Sequence, residues 1–219
     1  MSVSAQSENR QQAKPLSSWW KLQGIFFQPG ATFQAIDKNP NWLLPFIITS
    51  LVSFARMLIF HNPSTVPFKL VLTFLTAALP CFIPVLVCSG AFFTTFVLFG
   101  AETTFKKVFS LLMHTFFFMT AVNVGINLIV LFVVLDFDMV NQENQSLTNL
   151  GFLVSAEDNL ALNYLLSSID VIAFYHLYLI GLGLSIVSQK VSFKLSMGLV
   201  ATLWALYVAA MVVIKTIVA

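Results

Sequence analysis

Apolar residues in this chain come in long runs separated by short polar connections, the pattern of helices that cross a bilayer at about 20 residues each. Residues 42–60 supply the first run, with Arg56 its single charge. After a short connection at 61–67 that holds two prolines, residues 68–99 run well beyond what one span needs. Pro80 and Pro84 lie one turn apart there, and each removes a helical hydrogen bond, which predicts a bend. Residues 106–135 predict a third span, capped by Thr103 or Thr104, with Glu102 placed to pair with Lys106 four residues on. Two last runs, 170–189 and 193–214, are joined by a turn at Lys190 and Lys194 that permits only an antiparallel helical hairpin.

The stretch Asp170–Lys190 carries its own orientation. Asp170 and the aromatic residues Phe174, Tyr175 and Tyr178 mark one end, Gln189 and Lys190 the other, so the acidic end is expected away from the cytoplasm. The long connection 136–169 ahead of it holds Asp136, Asp138, Glu143, Glu157 and Asp158 without a Lys or Arg, and is expected on that same outer side. Ser155 and Asp158 have the spacing of a capping box. Leu162, Leu165, Leu166 and Ile169 follow at helical spacing, predicting a short amphipathic helix. Ala201, Ala205 and Ala209 form a small-residue stripe on the last run, and Gly181 with Ser185 another on the run before it, so the two helices are expected to meet along them.

Before the first span, residues 1–15 are too polar to offset the entropy of ordering and are expected to be a disordered tail. No apolar run of signal-peptide length occurs there, so the mature chain is expected to start at Met1. Residues 16–40 change character: Trp19, Trp20, Leu22, Ile25, Phe26 and Phe27 beside Lys21 suit an interfacial cytoplasmic segment. Within it Pro29 opens a short helix whose Phe33 and Ile36 share a face, and Asn39 and Pro40 close it.

Composition sets the class. The chain is 58% hydrophobic and 9% charged, whereas a soluble domain is roughly a quarter charged, so it lacks the polar surface to dissolve. The expectation is an all-α integral membrane protein with about five transmembrane helices over 41–219. A net charge of +2, with the basic residues clustered at span ends, excludes a nucleic-acid partner. With five spans, Arg10, Lys14, Lys21, Lys38, Lys106, Lys107, Lys190 and Lys194 share one side, leaving Arg56, Lys69 and Lys215 near the other. That bias puts the N-terminus in the cytoplasm and the C-terminus outside.

The run FFQPGATFQAIDKNPNWLLPF, with Phe27, Pro29, Phe33, Ile36, Pro40, Trp42 and Pro45, resembles the opening segment of the Yip domain family, multi-span proteins named for eukaryotic members that bind Ypt/Rab GTPases. IDVIAFYHLYLIGLGLSIVS resembles the family's later span of Asp, aromatics and glycines, and GAETTFKKVF its cytoplasmic turn, so the likeness touches three places across residues 27–190. It implies about five spans and no catalytic chemistry. Eukaryotic members carry a long cytosolic N-terminal region, and only about forty residues precede the first span here. That points to the prokaryotic branch and a bacterial cytoplasmic membrane, with an ER or Golgi membrane as the alternative, and leaves a small GTPase as partner only where the eukaryotic role carries over.

The candidates for chemistry are few. Cys81 and Cys88 sit seven residues apart, roughly 10 Å along a helix, too far for a disulfide or a shared metal, and are expected to be buried apolar residues. Gly183 and Ser185 have the start of a nucleophile turn, but its second glycine is missing. Asp170 and His176 suggest a proton relay, yet a spacing of six puts them on different faces, and Asp170 reads equally well as a helix N-cap. His114, Asn123 and Asn127 read as interhelical hydrogen-bond partners and Arg56 as a snorkelling side chain. No nucleotide, zinc or metalloprotease motif occurs, so no cofactor, metal site or enzyme is expected. The leading expectation is a protein that binds partners, the bilayer and another membrane protein, as an assembly factor or accessory subunit. A small transporter or channel is the alternative, with Asp170, Arg56, His114 and His176 as its intramembrane polar candidates.

Overall fold

The computed structural model describes residues 17–61, 67–134, 148–188 and 190–218; the expected tail at 1–15 and residues 135–147 lie outside them. Among the described residues run α1 Ser18–Phe27, α2 Pro29–Lys38, α3 Leu43–His61, α4 Pro67–Leu98, α5 Phe105–Val134, α6 Leu160–Ser167, α7 Val171–Val187 and α8 Phe193–Val218, with a 3-10 turn at Gly151–Leu153. α3, α4, α5, α7 and α8 coincide with the five apolar runs. Leu70–Leu98, Phe105–Ile129 and Phe193–Ile217 are each long and apolar enough to cross a membrane, and Leu43–Leu58 and Val171–Val187 are shorter apolar helices. This is an all-α integral membrane protein.

Local chemistry sets the helix starts. Ser17 accepts from the Trp20 amide at 3.3 Å to open α1, and Pro29 opens α2 where its missing N–H costs nothing. Thr104 Oγ1 accepts from Lys107 N at 3.4 Å to cap α5, while Thr103 donates instead to the Val187 carbonyl at 2.9 Å. The expected capping box is displaced: α6 is capped by Asn159, which accepts from Leu162 N at 2.9 Å, while Ser155 takes the Glu157 amide in the turn before it. Asn is as good a cap as Ser, and starting at Leu160 places the leucines inside the helix. α4 continues unbroken through Pro80 and Pro84.

α5 is the centre of the bundle, packing against α1, α2, α3, α4 and α7. Its buried face comprises Val108, Phe109, Leu111, Leu112, Met113 and Phe118. At one end Trp42, Phe46, Phe82 and Phe109 form a ring cluster with centroids 5.4–6.1 Å apart, joining α3, α4 and α5. α8 lies outermost, packed on α7 and α6.

Two expectations about packing are corrected. Ala201, Ala205 and Ala209 are exposed. The buried positions of α8 are Ser196, Val200 and Val208, the same four-residue spacing one position earlier and thus about 100° round the helix. Cys81 is buried but Cys88 is exposed: although seven residues nearly complete two turns, the buried face of α4 continues through Val85, Ser89 and Phe92, one position past Cys88. Glu102 pairs with Lys190 across two turns of chain, not with Lys106.

Candidate functional site

Two polar constellations and one packing seam stand out among the described residues. The first closes the lysine-bearing end. Lys107 Nζ lies 2.6 Å from Asp37 Oδ1, tying α2 to the start of α5. Lys190 pairs with Glu102, and the Thr103–Val187 hydrogen bond runs beside it, so the α4–α5 and α7–α8 turns are clasped together. The Lys21 ammonium donates to the Asn39 carbonyl at 2.5 Å, and Asn41 Nδ2 donates to Ser18 Oγ at 3.0 Å, fastening the start of α1 to the end of α2. Lys21 is 2% exposed, and that burial holds its ammonium pKa below the usual lysine range.

The second lies at the opposite end of α7. Asp170 caps that helix, Oδ1 accepting from Ile172 N at 2.7 Å and Ala173 N at 3.2 Å, while Oδ2 accepts from Thr148 Oγ1 at 2.7 Å. Asn149 and Asp170 also form an isolated antiparallel bridge. The carboxylate is therefore a knot between the end of the long connection and the start of α7.

The third is a pair of helix-to-helix close approaches. A Cβ built on Gly183 would stand 2.4 Å from Leu111 Cδ1, and one on Gly181 would stand 2.1 Å from Met197 Sδ. The two glycines thus let α7 sit down on α5 on one side and on α8 on the other. Ser185 donates to the Leu182 carbonyl of its own helix at 2.8 Å and takes no part in this seam.

The remaining candidates are dispersed. His114 Nδ1 is 2.7 Å from the Ser110 carbonyl, which can only accept, so this nitrogen carries the hydrogen. His176 Nε2 is buried without a partner among the described residues. Asn123 donates to the Met119 carbonyl one turn back. Arg56 is exposed on α3. No three His, Cys, Asp or Glu among the described residues come close enough to share a metal ion.

A family model described as the Yip1 domain matches residues 24–214. The chain belongs to the Yip1 domain family. Its match starts inside α1 and ends inside α8, so the Lys107–Asp37 and Lys190–Glu102 pairs, the Asp170 knot and the glycine seam fall within the Yip1 domain, while Ser18 and Lys21 lie just before it. No curated protein and no solved structure matches the chain. Within this Yip1 domain, sequence patterning found Asp170 as a cap and Gly181 as a packing residue. It missed Lys21, Thr148 and Gly183. For Gly183 a signal was present, because Gly181 and Gly183 lie two apart on a helix, about 200° round, and two glycines on opposite sides of one span imply two close neighbours.

Proposed function

We propose that this Yip1 domain protein acts by binding, as an assembly factor or accessory subunit of another membrane complex, without catalysing a reaction. One observation carries the reading: among the described residues, the candidate polar groups Asp170, His114, Asn123 and Arg56 do not converge. Asp170 is spent on a helix cap and Thr148, His114 and Asn123 bond to carbonyls of their own helix, and Arg56 is exposed on a different helix from any of them. A transport pathway needs several such groups facing one another across a cavity. The partner class is a membrane protein, with a small GTPase the narrower possibility drawn from eukaryotic members. The membrane proposed is the bacterial cytoplasmic one, with ER or Golgi as the alternative.

Purification in mild detergent followed by mass spectrometry tests this. A stoichiometric membrane-protein partner, kept through size exclusion, is the expected result. The transporter reading is favoured by the unpaired, buried His176 Nε2 and by Pro80 and Pro84 inside α4. Proton- or ion-dependent flux in liposomes holding the purified protein, lost on His176→Phe, would replace binding with transport.

A further inference from the structure

The pair α1–α2 packs one face into the bundle, with Ile25, Phe33 and Ile36 fully buried. Its mouth is fixed by Asn41–Ser18, Lys21–Asn39 and Lys107–Asp37, which set the end of α2 level with the first turn of α5. At the far end of α1, the Phe26 ring lies 5.0 Å from Phe118 and 6.1 Å from Phe117, and Phe118 in turn lies 5.4 Å from Tyr175. Lys107 and Phe118 are eleven residues apart on one unbroken helix, roughly 16 Å at 1.5 Å per residue. Tyr175 is twelve residues from the inner end of α7 at Val187, about 18 Å by the same rise. Ten-residue legs span about 15 Å, so all three measures agree. Against a hydrocarbon core of about 30 Å, that is close to mid-depth.

We infer that residues 17–41 are a re-entrant hairpin, entering the bilayer from the lysine-bearing side, turning at Gln28–Gly30 near the midplane with Phe27 against acyl chains, and leaving on the side it entered. Non-helical backbone at such depth has to pair its polar groups internally. Gln28 is the one non-helical residue of the turn: its N–H donates to the Gly24 carbonyl at 2.7 Å, and its carbonyl accepts from Thr32 N and Thr32 Oγ1, each at 3.0 Å, while the Gly30 and Ala31 amides that open α2 have no side-chain cap. Pro29 has no N–H to satisfy. Phe27 is 84% exposed at the tip, and the tip's single polar side chain is that of Gln28. One flank of the hairpin, Ile25, Phe33 and Ile36, is fully buried in the bundle core, so the legs are held by protein while the tip is left open. Gly24 closes the legs on each other, since a Cβ there would stand within 2.3 Å of Thr32 Oγ1. The occupant that fits an uncharged, aromatic tip at that depth is lipid hydrocarbon.

Site-directed spin labels read depth and occupant together. In a Cys81→Ala, Cys88→Ala background reconstituted into phosphatidylcholine–phosphatidylglycerol liposomes, nitroxides are placed at Phe27→Cys, Ala31→Cys and Lys38→Cys. Collision with oxygen and with a water-soluble nickel chelate is then measured at each. The hairpin predicts Phe27 and Ala31 labels reached by oxygen and shielded from nickel, and the Lys38 label with the reverse preference. Nickel access at Phe27 equal to that at Lys38 would put the segment at the surface and overturn the proposal. Shielding of Phe27 from both reagents would mean protein covers the tip, which overturns lipid as its occupant. Ala31 keeps the test decisive if the Phe27 variant does not fold.

Discussion

Asp170 accepts three hydrogen bonds, two from the amides that open α7 and one from the Thr148 hydroxyl. Asn offers the same acceptor to Ile172 and Ala173, and its amide can donate to the Thr148 hydroxyl in place of accepting from it. Asp170→Asn should therefore cost under about 1 kcal/mol in thermal stability in detergent. Asp170→Leu strands two amide donors near the membrane and should cost about 2–4 kcal/mol, cap and desolvation together. Equal losses for the two would mean the charge itself matters. Gly183 gives a second residue-level test. Gly183→Ala drives a methyl into Leu111, which is fully buried and has no room to move, whereas at Gly181 the obstacle is the flexible end of Met197. The melting temperature should fall most for Gly183→Ala and less for Gly181→Ala, and should hold or rise for Gly198→Ala, where nothing lies within 4 Å of the added Cβ. Leu111→Ala should partly rescue Gly183→Ala, and failure to do so would separate the glycine from that contact.

At the scale of whole helices, α8 tests which face meets α7. Ala205 is exposed and Ser196 fully buried, so Ala205→Leu should leave the melting temperature unchanged. Ser196→Leu overpacks the seam and should cost about 1–3 kcal/mol. The opposite order would restore the alanine stripe as the contact. The length of each span was legible because lipid demands a long apolar run, a requirement imposed residue by residue. The packing face was not, because on a helix that is apolar all round no polar residues mark the inner side. α6 was legible from its leucine spacing, but its start was not: Ser155 and Asn159 are both competent caps, and only tertiary placement chooses between them.

Across the whole molecule, two ion pairs join elements far apart in sequence, Lys107 with Asp37 and Lys190 with Glu102. In a background lacking Cys81 and Cys88, a cysteine at Glu157 should react with a membrane-impermeant maleimide in intact cells, and one at Lys38 only after permeabilisation. The reverse pattern would invert the topology. Dispersal of the polar candidates could not be read from sequence, because it depends on which helices become neighbours. The sequence placed Trp19, Phe26 and Phe27 beside the membrane, but the Phe26–Phe118 contact that sets their depth joins residues 92 apart in sequence.

That long separation has a consequence for biosynthesis. α1 and α2 leave the ribosome before the helices they pack against, α3, α5 and α7. At about 5–20 residues per second, α7 follows α2 by on the order of ten seconds. Through that interval Ile25, Phe33 and Ile36 have no bundle to cover them, and neither ten-residue leg is long enough to be retained in the membrane as a span. The hairpin is thus completed only when α7 has been made, and nascent chains arrested after α5 should leave α2 more open to protease than the full chain does.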